Sequence, residues 1–311
     1  MLETGTAFFA VGEFMLLQSA TTLPPLPTWA TLVGQAYQLT PSPDTPDLSA
    51  ASLSIRYLSS EVPAGEEDGI TVYYVADGSS TWQALPTTLN RYHNLAAAPY
   101  AGPGRYALMS SIRIPLRSLG WNNIGYPVQA TRPIRDGLAA IAGSYDLAYT
   151  YLLTDTRDPW KLYAPNAEPW VSNLFTLEFG QGYWLHITNT HGLTLEVRGS
   201  SQVQVVTTLP PAPPATVYGQ VALPIGARVE ARIGATVCGV GSTRDIGQQR
   251  VGFVVDVFAD DGDGGRGCGQ RDRMVTLYAN QQVIGQFGWN NQRLADLNRV
   301  TYRVLLPVTG R

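Results

Sequence analysis

The chain contains little charge and almost no lysine. Only 14% of its 311 residues are charged, against about 25% in typical globular domains. Lys161 is the single lysine among 21 basic residues, and the formal net charge is -3. Because a nucleic-acid partner requires a basic face that neutralises phosphates, this composition argues against one.

Long apolar runs are also missing. None approaches the ~20 residues that a membrane-spanning helix needs, so we expect no membrane span. The start, Met1-Leu2-Glu3-Thr4, lacks the basic and apolar regions of a signal peptide. Either the chain is cytosolic, or it is a fragment or processed part of a secreted protein, and we favour the second because of its cysteines.

Groups for catalysis are scarce. Nucleophilic catalysis needs Ser or Cys beside a His and an acid, and none of His93, His186 and His191 lies in such a motif. Glycine-rich phosphate loops with their lysine are absent as well. We therefore expect no catalytic residues and no enzyme activity.

The residues that are abundant indicate a mainly β fold. The chain has 31 Gly, 22 Pro and 16 Tyr, and short alternating apolar segments recur at the spacing of β-sandwiches. We predict three consecutive modules, divided by a change of pattern near residue 117 and by closely spaced prolines. They are a β-sandwich over 1–117, a small β-rich α+β module over 118–206, a Pro-rich linker over 207–215 and an antiparallel β-sandwich over 216–311.

Two local patterns are specific enough to test. Asp77-Gly78 between two strand-like segments predicts a hairpin turn with Gly78 at positive φ. Pro133 to Ile141 predicts the one short helix, because Ile134, Leu138 and Ile141 share one face. Thr131 is a candidate cap for that helix.

Cys238 and Cys268 are the only cysteines. They have no CxxC spacing and no nearby His. A disulfide is therefore favoured over a zinc site, because structural zinc is coordinated by four ligands. Two buried free thiols are the alternative. A disulfide would place the chain in an oxidising compartment.

One segment is a candidate metal site. Asp260, Asp261 and Asp263 lie in the glycine-containing run Asp260-Asp261-Gly262-Asp263-Gly264, and such a loop can wrap calcium. The distal glutamate of a calcium loop is missing, so a solvated β-turn is the alternative. We expect no other cofactor.

Tryptophan and the N-terminal run are candidate contact surfaces. Trp160 and Trp170 lie in a loop-rich, proline-flanked stretch, where their rings could stack on sugars, although most tryptophans here favour a core role. The run from Phe8 to Leu17 could add a strand to a neighbouring chain, or it could close its own sandwich. The residues of this run that we expect to form the assembly strand are Phe8, Phe9, Val11, Phe14 and Leu16.

The middle module carries a resemblance. Gly120-Trp121-Asn122-Asn123-Ile124-Gly125-Tyr126-Pro127-Val128, Asp158-Pro159-Trp160-Lys161 and Gly182-Tyr183-Trp184 resemble a module of large, modular secreted bacterial cell-surface proteins. Residues 216–311 are similar to the carboxypeptidase-regulatory or transthyretin-like sandwiches of the same proteins, which implies an Ig-like or transthyretin-like β-sandwich there.

The resemblance implies a non-catalytic role outside the cell. We expect a structural or adhesive cell-surface protein that associates with itself or with neighbouring surface proteins, as a filament or layer. A carbohydrate-binding accessory module of a larger secreted protein, with glycans as partners, is the alternative.

Overall fold

The computed structural model describes residues 2–4, 15–41, 48, 50–201, 211–260 and 267–299. Strands account for 49% of the residues and helical turns for 7%. The expected mainly β class is therefore confirmed. None of the helices in this described part is long and apolar enough to cross a membrane.

The N-terminal region forms two antiparallel sheets, ordered β1-β4-β8-β7 and β2-β3-β9-β5-β6. Short 3-10 turns at Ser59–Glu61 and Glu67–Gly69 precede β5. Gly78 has φ +80 in the turn between β5 and β6, which confirms the predicted hairpin. The strands are β1 Leu2–Thr4, β2 Met15–Ser19, β3 Thr31–Pro41, β4 Ser52–Arg56, β5 Thr71–Ala76, β6 Gln83–Ala84, β7 Thr88–Asn90, β8 Leu95–Pro99 and β9 Gly104–Ser110.

Apolar side chains fill the space between these two sheets. Leu53 and Ile55 of β4 meet Val72 of β5 and Tyr106 and Leu108 of β9, all at most 3% exposed. Alternation along the strands directs these residues to one face. The result is the sandwich packing that the short-strand pattern predicts.

The middle region is built on one four-stranded sheet, ordered β11-β16-β13-β14, with two separate strand pairs, β10-β17 and β12-β15. A further 3-10 turn covers Pro169–Val171. The strands are β10 Ile112–Leu116, β11 Gly120–Gly125, β12 Arg132–Pro133, β13 Tyr145–Tyr151, β14 Trp160–Tyr163, β15 Thr176–Leu177, β16 Gly182–Ile187 and β17 Leu193–Val197.

The predicted short helix is present at Ile134–Gly137 and continues as a 3-10 turn over Ala139–Ile141. Ile134, Leu138 and Ile141 are at most 2% exposed and pack in the middle core. Thr131 is not the cap: Pro133 occupies that position, and no side chain caps the helix.

The C-terminal region again has two sheets, ordered β21-β22-β18-β25 and β20-β19-β23-β24, with β18 and β25 parallel. Its last described element is a 3-10 turn at Leu297–Arg299. The strands are β18 Ala215–Gln220, β19 Arg228–Ile233, β20 Thr236–Ser242, β21 Arg244–Asp245, β22 Val251–Val257, β23 Met274–Ala279, β24 Gln282–Gly288 and β25 Ala295–Asp296.

Strand β10 links the first two regions. It lies before the expected boundary at residue 117, yet it pairs with β17 over Ile112↔Val197 to Leu116↔Leu193. Beyond β17 the chain returns to the N-terminal region, where Ser201 N donates to the carbonyl of Ala64 at 2.9 Å. The division into three modules stays a prediction, and this pairing shifts β10 towards the middle core.

Candidate functional site

The outer face of the middle sheet is covered by the C-terminal region through aromatic side chains. Within the middle sheet, Trp160 packs edge to face on Tyr149 with 6.0 Å between the ring centroids, and both rings share one apolar cluster with Tyr218 of β18. Trp170 meets Tyr218 of β18 in the same way at 5.6 Å. Such pairs stabilise an interface beyond the apolar area they bury, so these two regions share a packed joint.

A chain of hydroxyl groups crosses this joint. Thr216 Oγ1 donates to Asp256 Oδ1, and Tyr149 OH lies 2.7 Å from Thr216 Oγ1. Because a hydroxyl has one proton to donate, Tyr149 must be the donor in the second bond. The middle sheet is therefore hydrogen-bonded through Thr216 to a carboxyl group of β22.

Asp256 has an unusual titration. Desolvation by its surroundings raises the pKa of this carboxyl to about 7, against a smaller opposing effect of the hydrogen bond from Thr216. Burial disfavours the charged form of an acid. Below neutral pH, Asp256 is thus a neutral carboxylic acid that can donate a hydrogen bond.

Asp256 lines an open cleft of about 520 Å³ between the two regions. This size lies within the ~300–1,000 Å³ of ligand pockets. Arg157 and Asp158 enter it from the loop before β14, Arg228 and Arg244 from the C-terminal sheets, and Phe258 closes one side.

The three guanidinium groups differ in their partners. Arg228 pairs with Glu230 at 2.9 Å. Arg244 donates to the carbonyl of Trp170 and lies 6.0 Å from that ring. Within the described ranges, no carboxylate pairs with Arg244 or with the exposed Arg157. The cleft consequently has positive charge that the protein does not neutralise.

Beside the cleft, the single lysine fills a pocket of oxygens. Lys161 Nζ lies 2.9 Å from Asp155 Oδ2, 2.8 Å from Asp158 Oδ2 and 2.6 Å from the carbonyl of Asp158. The hydrogen bond from Lys161 is the main cause that lowers the pKa of Asp155 to about 2. A compact ammonium suits three converging oxygens better than a planar guanidinium does, which accounts for a lysine in an arginine-rich chain.

The tryptophan prediction needs a correction. Trp160 is only 3% exposed, because β14 turns it toward the joint, and it cannot present its face to a sugar. Trp170 is partly exposed, but its ring lies between Tyr218 and Arg244. Neither ring is a free stacking platform, although an edge of Trp160 reaches the cleft.

The cysteine prediction agrees with the structure. The sulfurs of Cys238 and Cys268 lie at disulfide-bonding distance with Cα atoms 5.4 Å apart, inside the usual ~4.4–6.8 Å. Both side chains are buried in the C-terminal core.

Calcium binding remains a prediction. Asp261 and Asp263 lie outside the described residues. Asp260 Oδ2 accepts a hydrogen bond from Gln270 at 3.0 Å. Across the described ranges there is no group of three metal-ligating side chains.

His186 has an acidic partner. Its Nδ1 lies 2.7 Å from Asp146 Oδ1, and its ring packs 4.9 Å from Trp121. Leu185, its neighbour in β16, is fully buried on the opposite face, as the alternation predicts.

The expected assembly run is only partly described. Phe8, Phe9, Val11 and Phe14 lie outside the described residues. Leu16 is 45% exposed on β2, an edge strand of its sheet. The segments on either side of the undescribed part pair within the N-terminal region, β1 with β4 and β2 with β3.

No family model, curated protein or solved structure matches the chain. Sequence reasoning missed the cleft, although Asp256 did carry one signal. It is the only acid in the apolar strand Val251–Val257, and an acid among apolar residues usually has a bonding partner.

Proposed function

We propose that this chain is a non-catalytic structural or adhesive component of a cell surface, in which neighbouring β-rich regions are held in fixed contact. The observation that carries this proposal is the pair of joints along the chain. Glu66 in the N-terminal region accepts the backbone N–H of Gly199, and Tyr149 reaches Thr216 across the second joint.

These joints are built from buried and specific contacts, which freely moving domains do not need. Tyr149 is 1% exposed, and Trp184 Nε1 donates to the carbonyl of Pro211 at 3.1 Å, just before β18 begins. The cysteine pair supports an extracellular location, because disulfides persist in oxidising compartments.

Self-association is the second part of the proposal. In the described part of the sheet, β2 pairs on one side only, with β3. Leu16 and Leu17 on this strand are 45% and 41% exposed. An exposed apolar edge strand is a template for pairing with another chain, so we propose that β2 contributes to contacts between copies.

Sedimentation velocity over a range of protein concentrations tests this part. We expect species larger than the monomer that increase with concentration and disappear in Leu16→Lys, because a charge on an edge strand blocks pairing. Leu58→Lys is the matched control, since Leu58 is 60% exposed outside any strand. A monomer at every concentration, or equal loss in both variants, would rule out assembly through β2.

A further inference from the structure

The cleft between the middle and C-terminal regions is lined by charged and polar side chains that the proposed structural role does not require. Its side chains come from β14 and the loop before it, β19, β20, β21 and β22. At about 520 Å³ it can hold more than a simple ion. The packed joint below it fixes these elements relative to one another.

The charge in the cleft favours an anion. Lys161 is shared between Asp155 at 2.9 Å and Asp158 at 2.8 Å, so this group of three keeps one negative charge, and Asp158 also accepts from Asn173 Nδ2 at 3.1 Å. Arg228 has Glu230. Arg157 and Arg244 therefore supply the excess, and guanidinium groups bind planar carboxylates through two parallel hydrogen bonds.

The rest of the lining suits a hydroxyl-rich ligand. Ser242 is exposed at the end of β20 and, among the described residues, its hydroxyl has no protein partner. Asp256 can donate a hydrogen bond while it is protonated, because its pKa is raised to about 7, and in that state it does not repel an anion. Phe258 is 37% exposed and offers an apolar surface.

We propose that this cleft binds an acidic saccharide, a sugar chain bearing carboxylates, with Arg157 and Arg244 holding one carboxylate. Ser242 and Asp256 then bind ring hydroxyls, and Phe258 contacts the apolar face of a sugar ring. This site is a more specific form of the carbohydrate-binding alternative, in which charged side chains rather than stacked tryptophans recognise the sugar. It is independent of self-association through β2.

Isothermal titration calorimetry with trigalacturonic acid tests the site on the whole chain. We expect saturable binding that neutral maltotriose does not reproduce. Arg157→Gln should weaken binding about tenfold, the loss expected for one charge-assisted hydrogen bond. Arg157 makes no side-chain contact that the fold needs within the described ranges, so an unchanged melting temperature should accompany this loss.

Arg56→Gln is the matched control, because Arg56 is an exposed arginine on β4 of the N-terminal region, and it should bind as the unmodified chain does. Equal affinity for maltotriose, equal affinity for sodium sulfate, no binding at millimolar concentration, or full binding by Arg157→Gln would each overturn the proposal. The first two outcomes would identify a neutral-sugar site and a simple anion site. Sedimentation of the same samples reports separately on self-association.

Discussion

Removing the carboxyl group of Glu66 should loosen the joint between the N-terminal and middle regions. Glu66 is fully buried. Its Oε2 accepts from Ser110 Oγ at 2.5 Å, and its Oε1 accepts from Thr31 Oγ1 at 3.3 Å and from the backbone N–H of Gly199. Three donors from separate segments therefore converge on one side chain.

The magnitude follows from which donors lose a partner. In Glu66→Ala, the hydroxyl of Ser110 and the N–H of Gly199 have no acceptor, and each unsatisfied buried group costs about 1–3 kcal/mol. Gly199 is only half-buried, so water recovers part of its loss, and we expect about 3 kcal/mol in total. Glu66→Gln keeps one oxygen for Gly199, and its amide nitrogen donates to Ser110 Oγ once that hydroxyl has rotated, so we place the loss at about 1 kcal/mol.

Two measurements check this prediction. Urea unfolding followed by tryptophan fluorescence should rank the free energy of unfolding as unmodified, Glu66→Gln, Glu66→Ala, in falling order. Hydrogen exchange should show faster exchange of the Gly199 amide in Glu66→Ala. Glu168→Ala removes an exposed carboxylate and should change neither. A Glu66→Ala chain within about 0.5 kcal/mol of the unmodified one, or a Gln variant as damaged as Ala, would refute the reasoning.

Three further predictions follow from the C-terminal region and its joint. The pKa of Asp256 is raised in the folded chain, so the folded state binds the extra proton and stability should fall as pH rises from about 4 to about 7. Asp256→Asn should flatten that slope in pH-dependent melting, and an unchanged slope would contradict the assignment. Lys161→Met should lower the melting temperature, because Asp155 and Asp158 lose their shared counter-ion and repel each other. Arg113→Met removes a half-exposed arginine with a 3.7 Å ion pair and should have a far smaller effect; equal losses in a melt would count against the oxygen pocket. Reducing the Cys238–Cys268 disulfide should lower the free energy of unfolding by about 3–4 kcal/mol on the chain-entropy model, which dithiothreitol should reveal as a lower urea midpoint. Mass spectrometry that finds two free thiols before reduction would contradict the disulfide.

The local sequence pattern predicts structure correctly where the conformation of a segment depends only on its own residues. The turn at Gly78 and the helix face of Ile134, Leu138 and Ile141 depend on residues within one or two turns of chain. For Trp160, the neighbouring proline predicts a loop. Period-two reasoning from Leu162, which is 2% exposed on the same face of β14, would have placed Trp160 in the interior.

The cleft could not be predicted in this way. Arg157 and Arg244 are far apart in sequence, and each lies in an unremarkable polar segment. Their charges meet only because the middle sheet packs on the C-terminal region. Pairing between distant strands, such as β10 with β17, likewise depends on tertiary packing that no local period encodes.

The pairing of β10 with β17 determines how the chain would respond to tension. Ile112, where the chain enters the middle region, lies opposite Val197, where it leaves. Pulling the two ends apart would therefore peel this ladder open one pair at a time, the weakest direction in which to load it. The contacts of Gly199 with Glu66 and of Ser201 with Ala64 lie just ahead of that opening point. These contacts between the N-terminal region and residues 199–201 would therefore take up load before the β10–β17 ladder opens.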